Sequence, residues 1–159
     1  MDTLYLNLNK LSGTIHTEIG LLTSLNILRL GPNKLTGTIP SELGQLANME
    51  VLSVAANTLT GRIPSELGTF TQVKEIWTDY NSLSGEVPEE LGALANNDVP
   101  ALLSLIYNPM LSGTLPETIC SLETLYFDCT GLLCGCGCGC SEEGLNELNT
   151  TTVADVHGQ

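Results

Sequence analysis

One stretch of this chain returns at a fixed interval of 24 residues. "LRLGPNKLTGTIPSELGQL" at 28–46 is matched by "LSVAANTLTGRIPSELGTF" at 52–70 and by "IWTDYNSLSGEVPEELGAL" at 76–94. A fixed period of this length predicts a solenoid, in which each unit contacts only its neighbours and no unit can bury its apolar residues alone. Five units are marked by one asparagine each, the last after a spacing of 27 residues: Asn9, Asn33, Asn57, Asn81 and Asn108.

Each unit opens with a short strand. In "LRL", Leu28 and Leu30 are two residues apart, so both side chains point to the same side of a strand. Stacking of neighbouring units would bury these pairs as one continuous column. Only Thr78 departs from apolar among the equivalent pairs, which are Leu4/Leu6, Leu52/Val54, Ile76/Thr78 and Leu103/Leu105.

The marker asparagines follow the strands, where the chain turns. A buried asparagine needs hydrogen-bond partners for its donors and its acceptor, and backbone groups of adjacent turns can supply them. We therefore interpret these asparagines as a structural ladder, not as catalytic groups. The motif "LTGTIPSELG" comes next, where Pro40 suits the first position of a short helical turn and Leu43 returns to the core. Glutamates that recur on this segment are expected to form a solvated outer face: Glu18, Glu42, Glu66 and Glu90.

This unit, written L-[ST]-G-x-[IVL]-P-x-x-[LI]-G-x-L, resembles the plant-type leucine-rich repeats of extracellular receptors and their algal relatives. The resemblance covers roughly residues 1–122 and implies an α/β-type leucine-rich repeat solenoid, with short parallel β-strands on the concave face and 3₁₀ or irregular turns on the convex side. It also implies a non-catalytic role in binding peptides or proteins at an extracellular or cell-surface location. Two features depart from the family: His16 stands in the proline slot, and the cysteine-paired N-terminal cap is absent.

Residues between and just after each inward pair should face outward on the concave sheet. The only tryptophan and three of the four tyrosines fall there. We expect Trp77, Tyr80 and Tyr107 to cluster, because adjacent strands lie about 4.8 Å apart and grouped exposed aromatic residues are typical of binding hot spots. Asp79 and Glu75 should add a negative rim. The alternative is that these aromatic side chains only cover a pleated surface. The predicted partner-binding residues are Tyr5, Arg29, Glu75, Trp77, Asp79, Tyr80, Ser104 and Tyr107.

Cysteines begin where the repeats degenerate, in "CSLETLYFDCTGLLCGCGCGC". Cys120 takes the slot that glycine holds in earlier units, and the last open face of a solenoid needs a cap. We predict a disulfide cap. Closely spaced thiolates also suit copper or zinc, but no histidine lies nearby and the C-x-x-C spacing of zinc sites is missing. Metal binding and free or mixed thiols stay open as alternatives. The cysteines concerned are Cys120, Cys129, Cys134, Cys136, Cys138 and Cys140.

The composition and motif content argue against several classes of function. The net charge of −13 argues against a nucleic-acid partner and against an anionic membrane surface. The longest apolar run is far shorter than the ~20 residues of a membrane-spanning helix. Because the sequence contains no Walker loop and no HExxH motif, it predicts no catalytic residue, no cofactor and no metal site.

The sequence thus divides into five repeats at 1–122, a cysteine-rich cap at 123–140 and a disordered polar tail at 141–159, which carries a glycosylation sequon at Asn149. We expect a protein-binding or peptide-binding module. The alternatives are a structural or adhesive cell-surface protein and thiolate metal binding by the Cys-Gly segment. Since Leu4 and Leu6 already belong to a strand, we also expect a fragment whose upstream sequence adds repeats, a cap and a signal peptide.

Overall fold

The structure is a computed structural model that describes residues 2–98, 100–122, 124–128, 131–134 and 145–148. Its strands are β1 (Thr3–Tyr5), β2 (Ser12–Thr14), β3 (Ile27–Arg29), β4 (Lys34–Thr36), β5 (Val51–Ser53), β6 (Thr60–Gly61), β7 (Glu75–Trp77), β8 (Ser82–Gly85), β9 (Leu102–Ser104), β10 (Met110–Leu111), β11 (Gly113–Leu115), β12 (Thr124–Asp128), β13 (Leu132–Cys134) and β14 (Leu145–Leu148). Its 3₁₀ helices are η1 (Thr17–Leu21), η2 (Ser41–Gln45), η3 (Ser65–Thr69), η4 (Glu89–Asn96) and η5 (Glu117–Ser121).

The first strand of every unit joins one sheet, in the order β1-β3-β5-β7-β9-β12-β14. All pairs from β1 to β12 are parallel, and equivalent residues lie opposite one another, as Leu28 lies opposite Leu52 and Leu52 opposite Ile76. Parallel neighbours need a crossover connection, which here is the remainder of each unit with its 3₁₀ helix. The predicted leucine-rich repeat solenoid is confirmed. His16 replaces proline directly before η1 without preventing that helix from forming.

A single aliphatic column fills the space between the sheet and the 3₁₀ helices. Leu28 and Leu52 are completely buried, as is Leu43 from η2. Thr78 is also completely buried, and its hydroxyl donates to the carbonyl oxygen of Ser104 at 2.9 Å. This bond removes the penalty that an unpaired buried hydroxyl would impose, so the polar exception in the inward pairs is accommodated.

Four of the five marker asparagines bind the backbone of two units at once. The side-chain amide of Asn57 donates to the carbonyl of Val54 at 3.1 Å in its own unit and to that of Leu30 at 3.5 Å in the unit before. Its Oδ1 accepts a hydrogen bond from the Leu35 N–H at 2.9 Å. Each such residue therefore ties its unit to the preceding one. The same pattern of bonds is made by Asn33, Asn81 and Asn108.

On the other side of the core, a glycine in the 3₁₀ helix determines how closely the helices of consecutive units pack. A Cβ built on Gly44 would lie 2.5 Å from the carbonyl oxygen of Glu66 in the next unit, closer than such atoms approach. The helices of consecutive units can therefore stack closely only when this slot lacks a side chain. Cys120 fills this slot in η5 and is disulfide-bonded.

The repeats continue beyond the predicted boundary at residue 122. β12 pairs in parallel with β9, Leu125 lies opposite Leu103, and both Leu125 and Phe127 are completely buried. The first residues of the predicted cap therefore form a sixth parallel strand of the sheet. Its alternate side chains point into the core, as in the earlier strands. The asparagine period does not reveal this strand, because the sequence has Thr130 where a sixth asparagine would be expected. The cap residues Cys129, Cys136, Cys138 and Cys140 lie outside the described residues.

The prediction of a wholly disordered tail is wrong for four residues. β14 runs antiparallel to β12, with Leu148 opposite Leu125 and Leu145 opposite Asp128. Without a partner, β12 would present a row of unpaired N–H and C=O groups at the edge of the sheet. Pairing with β14 satisfies these groups and ends the parallel series. Asn149 lies outside the described residues.

The ladder predicts a difference between two asparagines. Asn57 is buried and joins two units, whereas Asn9 is exposed and donates to Leu6 and Asn7 in its own unit. Asn57→Ala leaves buried backbone groups unpaired and should lower the free energy of unfolding by about 2–3 kcal/mol. Asn9→Ala should lower it by less than about 1 kcal/mol. Urea unfolding followed by circular dichroism measures both, and equal losses would contradict the inter-unit role.

Candidate functional site

The register of the sheet sets one line of outward side chains across consecutive units. Leu28 and Ile76 point into the core, so the residues after them, Arg29 and Trp77, point to the opposite face. Trp77 is half-buried. In the order of the strands, the line is Tyr5, Arg29, Ser53, Trp77, Ser104 and Tyr126.

A carboxylate joins two members of this line across the strand between them. Glu75 Oε2 accepts a hydrogen bond from Trp77 Nε1 at 3.0 Å and lies 3.5 Å from Arg29 Nη2. Arg29 is on β3 and Glu75 on β7, so their contact passes over β5, where Ser53 is small and Val51 is buried. Both charged side chains are more than a third exposed, so solvent screens the ion pair. Its main effect is to hold the indole in place.

The rings of Tyr80 and Tyr107 stack at the rim of the same face. These tyrosines hold the same place in consecutive units, directly before the ladder residues Asn81 and Asn108. The ring centroids are 4.2 Å apart and the ring planes differ by 22°. The two residues are 51% and 46% exposed, so a large aromatic surface faces solvent. Stacked aromatic pairs gain about 0.5–1.5 kcal/mol beyond the area that they bury.

An unusual backbone conformation holds both tyrosines in position. Their φ angles are +52° and +55°, in the left-handed region that bulky residues rarely adopt. Leu8 and Ala56 share this conformation in other units, so the repeat turn imposes it. The Asn81 N–H donates to the Tyr107 carbonyl at 3.2 Å, which fixes the turn between units. The rings are therefore oriented before any partner arrives. We call Arg29, Glu75, Trp77, Tyr80 and Tyr107 the concave patch.

Two predicted contact residues lie beneath the surface. Asp79 is 5% exposed and Ser104 is completely buried, and the Ser104 hydroxyl donates to Asp79 Oδ1. Ser104 stands between Trp77 and Tyr126 in the register of the sheet, and a short side chain flanked by two large ones is shielded from solvent. The expectation that Asp79 forms a negative rim is corrected. Asp79 and Ser104 form a polar pair that supports the concave patch from below.

Burial raises the pKa of Asp79 to about 6, and the charge of Asp128 adds to that increase. Hydrogen bonds from Ser104 and from the backbone act in the opposite direction. Asp128 accepts a hydrogen bond from the Tyr107 N–H. Burial also raises the pKa of Tyr80, and Tyr107 contributes next, followed by the two carboxylates. The stacked rings thus lie in a negative local field.

Asp128 and Tyr126 belong to this region and were not predicted. The sequence does hold a signal for them, since Leu125-Tyr126-Phe127 repeats the inward-outward-inward alternation of the earlier strands. Tyr5 was predicted as part of the binding surface. It is exposed, but β1 is three strands from β7, which places it about 14 Å from the Trp77 strand. Tyr5 is therefore separate from the concave patch.

The described residues contain no group of three or more His, Cys, Asp or Glu side chains placed to hold a metal ion. Within the same ranges, no helix is long and apolar enough to span a membrane. Cys134 contributes backbone pairing to β13, which runs parallel to β11.

Comparison with known families matches a Leucine Rich Repeat model to residues 24–46. No curated protein sequence matches significantly. The BIR2 ectodomain from Arabidopsis thaliana is 30% identical with a TM-score of 0.67, and the match covers 84% of this chain and 69% of that one. PEPR1, solved with AtPEP1, is 34% identical with a TM-score of 0.69, and the match covers 80% of this chain and 17% of PEPR1. The plant peptide hormone receptor RGFR1, solved with RGF2, is 30% identical with a TM-score of 0.65, covering 84% of this chain and 24% of RGFR1. The chain thus spans about a fifth of the length of these two receptors.

The buried carboxyl of Asp79 predicts a pH dependence of stability. Its pKa is above the ordinary 3.8, so the folded state holds the proton more tightly than the unfolded chain does. The contribution of Asp79 to stability is therefore full below pH 3.8 and is lost as the pH rises through 6. Between about pH 4.5 and about pH 7.5 the loss should be about 2 kcal/mol.

Asp79→Asn should remove that loss, because the amide does not titrate. The free energy of unfolding of both proteins would be measured at the two pH values. The change with pH is then compared between them, because the contribution of the other carboxylates to that change is the same in both proteins. Identical pH dependence in the two proteins would show that Asp79 ionises normally. Asp98→Asn, an exposed change outside the patch, is the matched control.

Proposed function

Because the chain belongs to the plant-type leucine-rich repeat family, we propose that it is a non-catalytic recognition module that binds a peptide or protein segment on its concave sheet. The concave patch is the observation that carries this proposal. Trp77, Tyr80 and Tyr107 present aromatic surface whose orientation is set by Glu75, by mutual stacking and by the repeat turn. Preoriented aromatic residues bind with a small entropy cost, which is why they dominate hot spots.

The surface beside these aromatic residues has room for a bound chain. Beyond the Arg29–Glu75 bridge, the third unit contributes only the small residues Ala55 and Ala56 to this face. On one side of these small residues lie Trp77 and Tyr80 of the fourth unit, and on the other side lies the exposed Pro32 of the second unit. The third unit therefore forms the floor of a shallow trough. A segment lying in it would contact Trp77 and Tyr80 along one wall.

Relatives support a ligand of this class. RGFR1 is a plant peptide hormone receptor solved with RGF2, and PEPR1 was solved with AtPEP1. By analogy we assign a peptide or a peptide-like segment of a protein to this chain, and an extracellular or cell-surface location to the protein. The disulfide bond at Cys120 fits that location, since disulfides persist in oxidising compartments. Under this proposal the remaining cysteines complete a disulfide cap.

Trp77→Ala tests the proposal. Peptides would be selected from a display library of random dodecapeptides on the wild-type protein, and their affinities measured by calorimetry. Loss of a hot-spot indole should weaken binding by about 2 kcal/mol, close to thirtyfold. Because Trp77 lies outside the core, the thermal unfolding midpoint should change little.

Tyr5→Ala is the matched control, since Tyr5 is an exposed aromatic residue of the same line but lies three strands away. It should leave affinity unchanged. If selection yields no peptide whose binding depends on Trp77, recognition on the concave sheet is refuted and a structural or adhesive role is favoured.

A further inference from the structure

The charge of this chain is divided sharply along its length. Residues 1–74 contain five acidic and five basic side chains, whereas residues 75–159 contain 13 acidic ones and no lysine or arginine. The whole net charge of −13 therefore belongs to the second half of the solenoid and to the C-terminal residues after it. The Tyr80–Tyr107 stack lies within that half. Long-range attraction there favours a positively charged partner and repels an acidic one.

The local charges around the stack have the same sign. Asp79 and Asp128 both act on the Tyr80 hydroxyl, and no ion pair joins either carboxylate to a cation among the described residues. The nearest basic side chain of the concave face, Arg29, is already paired with Glu75. Asp128 is half-buried on β12 and accepts the Tyr107 N–H, so it adds to the negative field of the stack from the side of Tyr107. The negative field at the stack is thus not neutralised from within the chain.

The geometry of the rings leaves one suitable face open. Tyr80 and Tyr107 belong to consecutive units and stack on each other, so the outer face of Tyr80 is directed to the third unit. Ala56 holds the equivalent place there, and exposed Pro32 holds it one unit further. Two strand spacings, about 10 Å, separate the Pro32 and Tyr80 positions. That gap admits one guanidinium or alkyl-ammonium side chain, which is attracted to the face of a tyrosine ring.

We propose that the partner presents a basic segment to this surface, with an arginine or lysine side chain packed on the outer face of Tyr80 in the Tyr80–Tyr107 stack. The inference rests on the proposed function, because it names the chemistry of the ligand at the same patch. Arginine suits the site well, since its planar group can stack on the ring while the negative charge of this half of the chain attracts it. An acidic segment would be repelled by that charge, and a neutral one would not be attracted by it.

Three synthetic peptides that differ only in charge test the inference: four repeats of Gly-Ser-Arg, of Gly-Ser-Gln and of Gly-Ser-Glu. Trp77 is the only tryptophan of the chain, so its fluorescence reports binding at the concave patch. At equal ionic strength the arginine peptide should bind about tenfold more tightly than the glutamine peptide. The glutamate peptide should bind more weakly than either. Equal affinity of the arginine and glutamine peptides would overturn the inference.

Variants distinguish binding at the tyrosine rings from attraction by the overall negative charge of the chain. Tyr80→Ala/Tyr107→Ala should weaken binding of the arginine peptide about fivefold or more, and Tyr80→Phe/Tyr107→Phe should retain it because the ring faces remain. Leu8→Ala, at the same left-handed position of the first unit, should have no effect. Glu86→Gln/Glu89→Gln removes two exposed acidic residues away from the concave patch. A loss there as large as in the double alanine variant would refute a specific cation site.

The two proposals fail in different ways. Peptides selected from the random library that depend on Trp77, but lack an excess of arginine and lysine and ignore the double alanine variant, would preserve the recognition role and overturn the basic ligand. Failure of every selected peptide to depend on Trp77 would remove the recognition role itself. Circular dichroism melting of each variant shows that its fold is retained.

Discussion

The bond from a ladder asparagine to the preceding unit is the interaction on which this solenoid depends. Asn81 donates to Val54 in one unit and to Thr78 in its own, while its Oδ1 accepts from Leu59. Three backbone groups and the side-chain amide, each of which would be costly to bury unpaired, thus find hydrogen-bond partners together. Because the partners belong to two units, the turn of one unit is complete only when its neighbour is present. The aliphatic column supplies most of the burial, but the ladder sets the spacing at which the units stack.

The same turn creates the surface that we assign to recognition. In four units the chain enters the ladder position from a residue in the left-handed region, namely Leu8, Ala56, Tyr80 or Tyr107, whereas the second unit has Pro32 at this place. Alanine at this place in the third unit leaves a gap, and tyrosine in the next two units builds a wall. The left-handed conformation at Tyr80 and Tyr107 is thus one that the turn also imposes on Leu8 and Ala56 in other units. Under our proposal, the side chain at this position sets the recognition surface, while the turn sets its backbone.

Polar groups are buried beneath the patch. Asp79 is held where its ionised form is disfavoured, and Thr78 and Ser104 lie in the interior of the same two units. Stability alone would favour apolar residues at such places, and carboxylates with raised pKa values concentrate at functional sites. In this chain the buried carboxylate lies directly under the exposed rings.

The amino-acid sequence by itself determined the repeat, the inward pairs of each strand and the positions of the asparagines. These features depend on periods of 2 and 24 residues that are written along the chain, so each could be predicted without knowing any neighbour. It also predicted that Trp77, Tyr80 and Tyr107 cluster, and the structure shows the stack of Tyr80 on Tyr107. The tertiary structure alone decided which side chains contact one another across strands. Glu75 reaches Arg29 because Ser53 between them is small, and Ser104 is buried because large side chains flank it. It also decided that residues 145–148 close the edge of β12. Such outcomes depend on the sizes and unpaired groups of residues 17 or more positions apart, and no local pattern records them.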